Sequence, residues 1–418
     1  MNAYKTLFIN ALLVLLVFHD YLFLNIFSVF GSYFFLNLWK EVLVSAYLIY
    51  AFSLRPLSSV SGKAIFSKKV ILLSLVSLSM LLLWGDYSES SIKTFRSLVM
   101  PIFISFVIVG LLHQGTEYRC LKLFKFSCIL FFISSLYGVY QSFTIDSISG
   151  FWYYDLLVNH GFELNEWDSF RGGKVRISSF FTSSLDFSFF IVLGLVSYIA
   201  YFYFFAKTIS KTLIWGGGVI FLFFVILIST VRTAQISLVL CIINFIFIMF
   251  WKNNSHVFWF GLLSSLCLTA FTFYYLSAGY SDELSALGRI MQWKEVFYLV
   301  LSHPMGMGLG YIGPSEEIWY DSFLLNCFST IGVFSFVIVA FIVGLYRSIV
   351  KIYTCFILTT YQRMLGLILL VFFPSFLYII FFQAIYNSQV LYFFSIYISL
   401  FYFSIKVNSL IKKNKVVG

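Results

Sequence analysis

The chain has 418 residues, of which 61% are hydrophobic, 22% aromatic and only 11% charged, with a mean hydropathy of +0.95. A soluble domain carries roughly a quarter of its residues charged, so this composition excludes a water-soluble globular protein and requires the bilayer as solvent. The net charge of +10 is explained by Lys and Arg gathering in cytoplasmic loops and at the inner lipid surface; no polar domain exists to carry nucleic-acid binding.

An apolar run of about 20 residues is long enough to cross a bilayer as a helix. The first run, near 6–27, follows Lys5 and has no small-residue cleavage site, which reads as an uncleaved signal anchor. Further spans are expected near 34–54, 69–84, 95–112 and 123–145. A long loop, 146–177, separates these from spans near 178–205, 212–229, 233–251 and 256–278. A second long loop, 279–320, precedes 321–346, 364–382 and 388–405, with 382–390 either a turn or a re-entrant break. The expectation is an all-α polytopic bundle of about 12 transmembrane helices, forming one domain over 1–418.

The connections set an orientation. With the N-terminus cytoplasmic, Arg55, Lys63, Lys68, Lys69, Arg119, Lys122, Lys125, Lys207, Lys211, Lys252, Arg347, Lys351 and Arg363 fall on one face, with Lys406, Lys412, Lys413 and Lys415 in the tail. Asp86, Glu89, Asp146, Asp155, Glu163, Glu166, Asp168, Asp282, Glu283, Glu295, Glu316 and Glu317 fall on the other. The positive-inside rule therefore places both termini in the cytoplasm and both long loops outside it. Long structured loops are usually functional.

The chemistry concentrates on those loops. The first carries Arg171-Gly172-Gly173-Lys174-Val175-Arg176 and leads into Ile177-Ser178-Ser179-Phe180-Phe181. Ser229-Thr230-Val231-Arg232-Thr233 makes a tight turn on the same face. The second loop carries Gly288-Arg289, Trp293 and His303-Pro304-Met305-Gly306-Met307-Gly308-Leu309-Gly310-Tyr311, then Glu316, Glu317 and Asp321. Arg176, Arg232 and Arg289 come from three separate points at one membrane boundary. Each could merely snorkel to the interface; converging, their planar forks match the oxygens of a diphosphate. The alternating glycines have no strand or Rossmann unit around them and permit a bent loop to approach a substrate closely. Trp152, Trp167, Trp293 and Trp319 are placed either to stack on sugars or to anchor at the interface.

Charged residues near the same helix ends, Asp20, Lys40, Glu41, Lys93, Arg96 and Asp186, are expected to face a cavity or to pair. Asp20 with Lys40, and Asp186 with Arg96, are the pairings considered. The six cysteines lack any CxxC spacing, and the five histidines lack ligand spacing. No disulfide framework, metal site or cofactor is expected.

Taken in order, Arg176-Ile177-Ser178-Ser179-Phe180-Phe181, Ser229-Thr230-Val231-Arg232-Thr233-Ala234, Gly288-Arg289 with Trp293, and His303-Pro304 through Tyr311, followed by Tyr320-Asp321-Ser322-Phe323-Leu324-Leu325 and Gly332, resemble the O-antigen polymerase and ligase superfamily of bacterial inner-membrane glycosyltransferases. The distinctive residues cover 170–335. Ligases of that family carry a His-Asn pair where this chain has Tyr320-Asp321-Ser322, so the resemblance is to the polymerases.

The resemblance implies a GT-C-like membrane glycosyltransferase joining oligosaccharide repeat units carried on undecaprenyl diphosphate, metal-independent and inverting. It implies Arg176, Arg232 and Arg289 on the diphosphate with Arg171 and Lys174 beside them, Asp321 or Glu317 as base, and Trp293, Gly308 and Gly310 against the glycan. Partners implied are the lipid-linked oligosaccharide, membrane lipid, a chain-length regulator and a flippase. Rival readings are a flippase for the same lipid-linked sugars, a ligase on the same scaffold, and a non-catalytic partner in envelope assembly. Matching halves would favour the flippase, and none is evident.

Overall fold

The computed structural model describes residues 2–30, 39–53, 83–85, 89–112, 117–159, 169–171, 173–251, 254–277, 284–311, 320–383 and 388–417. Among them the protein is all-α apart from a single pair of two-residue strands. The helices run α1 (Asn2–Val17), α2 (His19–Phe30), α3 (Trp39–Ser53), α4 (Glu89–Leu112) and α5 (Glu117–Thr144). A short α6 (Tyr154–Val158) and a hairpin of β1 (Phe170–Arg171) and β2 (Lys174–Val175) follow. The chain continues as α7 (Ser184–Phe205), α8 (Ile209–Ile228), α9 (Arg232–Phe250), α10 (Asn254–Ser277), α11 (Leu284–Ser302), α12 (Phe323–Ile331), α13 (Ser335–Cys355), α14 (Thr360–Phe382) and α15 (Gln389–Val417). Among the described residues seven stretches are long and apolar enough to cross a membrane, or eight when the bent pair α1–α2 counts as one. Most of the expected span near 69–84 lies outside the described residues.

Two helices form the centre. α14 is apolar around its whole circumference and is buried along nearly all of it, as expected for a helix with no polar face. It begins with a capping box, in which Thr359 and Gln362 satisfy each other's backbone N–H groups, and packs against α7, α9, α10, α13 and α15. α7 is the second, starting at the N-cap Ser183. Lipid tails are as apolar as leucine, so burial alone does not hold such helices together; close interdigitation does. Aromatic rings supply it here: Phe131 and Phe190 have centroids 4.4 Å apart, Phe190 and Phe393 5.3 Å, and Phe373 and Phe394 5.4 Å.

The periphery is apolar as well. Leu213, Ile214 and Ile220 on α8 are each about 70% exposed, and Phe336 and Phe341 on α13 are similarly bare. A packed interior with large apolar side chains bare on the outside, as among the described residues here, is the arrangement of a polytopic membrane protein. The six cysteines are unpaired thiols, four buried and Cys267 and Cys355 exposed.

The structure departs from the sequence reading at three places. The first span is bent by 77° at Phe18, which makes His19 and Asp20 the head of a new helix. The region expected as a loop over 279–320 contains the 19-residue α11. The span expected over 321–346 starts as the nine-residue α12, turns through a 3-10 element at Gly332–Phe334, and resumes as α13.

Gly332 explains the last break. Its φ is +60°, and a Cβ there would lie 2.0 Å from the Pro304 carbonyl oxygen. Gly306, at φ +81°, faces it: a Cβ there would meet the Thr330 oxygen at 2.3 Å. The two backbones are stitched by Met307 N–H to Ser329 O, Gly308 N–H to Thr330 O and Val333 N–H to Pro304 O. Trp84 closes the other side, its Nε1 donating to Met305 O while its own carbonyl accepts from Leu309 N–H. Gly306, Gly308 and Gly332 thus have a packing reason of their own. Gly332→Ala is expected to lower stability by about 3 kcal/mol, from left-handed strain and overpacking together. Thermal unfolding of the detergent-solubilised protein reads this, and an unchanged midpoint would contradict the close approach.

Candidate functional site

α11 carries Arg289, Gln292 and Val296 at helical spacing, which puts them on one face. That face meets the strand-like stretch just before α12. The Arg289 Nε donates to Asp321 Oδ2 at 3.4 Å, and the Asp321 N–H donates to Gln292 Oε1 at 3.1 Å. One turn on, Glu295 Oε1 accepts from the Tyr320 hydroxyl at 2.9 Å, while the Tyr320 ring packs with Val296 and Leu325. Burial and the neighbouring Glu295 push the Tyr320 phenol up, so it stays a hydrogen-bond donor. Trp293 lies edge-on to Phe273 of α10 and stacks on Phe381 of α14, and so anchors α11 to the bundle.

The Arg289–Asp321 pair is open to exchange. The Asp321 side chain is 47% exposed and that of Arg289 24%, and 3.4 Å is longer than a tight charge-assisted bond. Half-exposed pairs of this kind contribute about 0–1 kcal/mol. An incoming anion can therefore compete for the guanidinium without breaking the fold.

Asp321 is held from its other side by the start of α12. Ser322 is the N-cap, accepting from Leu325 N–H and donating to Ile380 O at 3.0 Å. The Phe323 N–H donates to Gln383 O at 2.9 Å, and Asn326 Nδ2 donates to Tyr320 O. The Leu325 and Phe323 bonds satisfy amides that the first turn of a helix leaves without partners. The Ser322 and Phe323 bonds fasten Asp321 to the end of α14.

The other two arginines flank turns that hold a non-glycine residue in the left-handed region, Ser179 at φ +55° just after Arg176 and Thr230 at φ +58° just before Arg232. Such residues persist only where their surroundings over-determine them. Ser179 shows how: its N–H donates to Gln141 Oε1, its hydroxyl to Ser134 O, and its carbonyl accepts from Gln141 Nε2 and Trp152 Nε1. Trp152 is therefore committed to this turn through its indole nitrogen. Arg176, three residues earlier, donates its N–H to Ser169 O, which extends the hairpin whose turn is made by Gly173 at φ +74°. Lys174 on that hairpin is exposed.

Arg232 opens α9. The Ser375 hydroxyl of α14 donates to Ser237 O of α9, which sets the start of α9 beside the end of α14. Arg176 precedes α7, whose Asp186 accepts from Gln383 just past α14. Arg176, Arg232 and Arg289 thus lie on segments that meet the same end of α14.

A second group of charges lies inside that end. Asp20 accepts from the backbone N–H and the hydroxyl of Thr182, both at 3.2 Å, and pairs with His19 at 3.3 Å. Lys40 is only 4% exposed, with its ammonium 4.8 Å from the Tyr392 ring centroid, and both Asp20 and Glu41 act on it electrostatically. Arg96 pairs with Glu41. Asp186 takes Gln383 as a hydrogen-bond partner.

Gly308 sits in the stitched loop, and Gly310 in the turn closed by the Tyr311 N–H to Gly308 O bond. Glu316, Glu317, Trp167 and Trp319 lie outside the described residues, as does the side chain of Arg171. Gln292 and Glu295 were not picked out as site residues in the sequence, Glu295 being named only among the acids of one face, and Gln383 was not named at all. The first two could have been found by reading on from Arg289 in helical steps; Gln383 has no local signal. Among the described residues no group of three or more His, Cys, Asp or Glu side chains could hold a metal ion. No family model, curated protein or solved structure matches the chain.

Proposed function

We propose that the chain is a polytopic bacterial inner-membrane glycosyltransferase of about twelve spans, both termini cytoplasmic, that polymerises oligosaccharide repeat units carried on undecaprenyl diphosphate. The observation that carries this reading is the loose ion pair of Arg289 with Asp321. It brings a cation suited to a departing diphosphate next to a carboxylate suited to accept a hydroxyl proton, at a half-exposed position on an apolar bundle.

The reaction needs little else. The glycan C1–oxygen bond to the donor diphosphate breaks as the acceptor hydroxyl oxygen bonds to C1 from the opposite side, which inverts the centre. The hydroxyl proton passes to Asp321 or Glu317. The electron pair leaves with undecaprenyl diphosphate, whose charge Arg289, Arg176 and Arg232 stabilise, with Arg171 and Lys174 beside them. Lipid tails would lie against the apolar exterior, and the glycan would extend from the end of the bundle past Trp293 and the loop of Gly308 and Gly310. A chain-length regulator and a flippase are the protein partners this chemistry calls for.

Deleting the gene and resolving the lipopolysaccharide by length tests the reading. The expected result is loss of long chains with a single repeat unit retained on the lipid A core. Loss of both would indicate a flippase, and polymer accumulating on its lipid carrier would indicate a ligase; either contradicts the proposal.

A further inference from the structure

One buried side chain joins the two groups of charge described above, and neither group accounts for it. Gln383 follows the last residue of α14 and is 4% exposed. Its backbone carbonyl accepts from the Phe323 N–H at 2.9 Å, two residues past Asp321. Its Nε2 donates to Asp186 Oδ1 at 3.3 Å in the first turn of α7. Asp186 in turn lies within electrostatic reach of Asp20. As placed, the Gln383 amide turns its nitrogen to the Asp186 carboxyl. Its Oε1 is left buried without a hydrogen bond among the described residues.

We infer that Gln383 is a positioning residue for Asp321: tethered by Asp186, it holds the carbonyl on which the start of α12 hangs, and so links the site to the buried charges of α2 and α3. The inference rests on the role given above to Asp321. Asp321 has no rigid element of its own. It is clamped between Gln292 on α11 and the pair Ser322–Phe323, which hang from Ile380 and Gln383. Releasing the Gln383 side chain leaves its carbonyl free to drift with the end of α14, and with it the carboxylate. A misplacement of about 1 Å costs a reacting site up to roughly a hundredfold in rate. The loss falls on kcat, because ground-state binding of the lipid-linked substrate does not use this geometry.

Gln383→Leu keeps the backbone carbonyl and the bulk but removes the amide; Gln383→Asn keeps the amide and is too short to reach Asp186. Each is expected to lower kcat about tenfold, with KM for the lipid-linked repeat unit changed less than about twofold. Asp186→Leu should do the same, and Asp186→Leu with Gln383→Leu should be no worse than either alone, since both remove one tether. Asp186→Asn keeps an acceptor for Nε2 and should recover most of the activity lost in Asp186→Leu. Amide exchange over 320–326 should quicken in Gln383→Leu.

Additive losses in the double variant, or unchanged kcat in both Gln383 variants while Asp321→Asn is inactive, would overturn the inference. If the wild-type protein makes no polymer, the functional reading fails and the exchange experiment decides the tether alone: unchanged exchange overturns it, faster exchange upholds it.

Discussion

Arg289→Ala is expected to leave the protein folded in the membrane and to reduce polymer formation by about 10²–10³-fold, the usual loss when one preorganised charge at a developing anion is removed. Folding should survive because the Arg289–Asp321 bond is long and half exposed, and because α11 is held independently by Trp293 against Phe273 and Phe381 and by Val296 against Tyr320. Arg289→Lys retains the charge but not the planar fork, and is expected to be substantially impaired as well. The measurement is the chain-length distribution of polysaccharide in cells carrying each variant, alongside the amount of protein in the membrane. Normal chain lengths with Arg289→Ala would remove the diphosphate role from this residue.

The second large effect concerns the base. Asp321→Asn preserves shape, leaves the Asp321 backbone bond to Gln292 in place, and still offers an oxygen to Arg289. What it loses is the capacity to take a proton, so a fall in kcat of about 10²–10⁴-fold is expected with little change in KM. Glu317→Gln is the paired measurement, because Glu317 is the other acid suited to the acceptor hydroxyl. Whichever variant retains activity is not the base; full activity in both would exclude a carboxylate base from this end of the second loop.

The membrane-spanning character was legible because long apolar runs and the segregation of Lys and Arg survive any error in boundaries. The central helices α7 and α14 could be read as spans, but not as central, since apolarity on all sides looks the same in lipid and in a packed core. α11 was read as loop because Arg289, Lys294 and Glu295 interrupt its apolar residues; it is a helix whose polar groups are used by Asp321 and Tyr320. The break at Gly332 depends on the Pro304 carbonyl, which is distant in sequence, so no local pattern announces it.

The same limit applies to the candidate site. Arg289 and Asp321 could each be singled out by residue type and order, yet their pairing spans 32 residues and is a product of tertiary structure. The partners of the intramembrane charges followed the same course. Glu41 and Arg96 are 55 residues apart, and no local pattern singles out that pairing. Gln383 is a polar residue at the end of an apolar helix, a position many glutamines occupy without consequence. Its importance comes from what α7 and α12 bring to it.

The most direct measurement is reconstitution of the purified protein in liposomes with undecaprenyl-diphosphate-linked repeat units and no other protein. The account predicts a ladder of lipid-linked oligomers, one undecaprenyl diphosphate released for each linkage formed, and no ladder with Arg289→Ala. Repeat units that cross the bilayer unchanged, or that remain monomeric in the presence of folded wild-type protein, would contradict it.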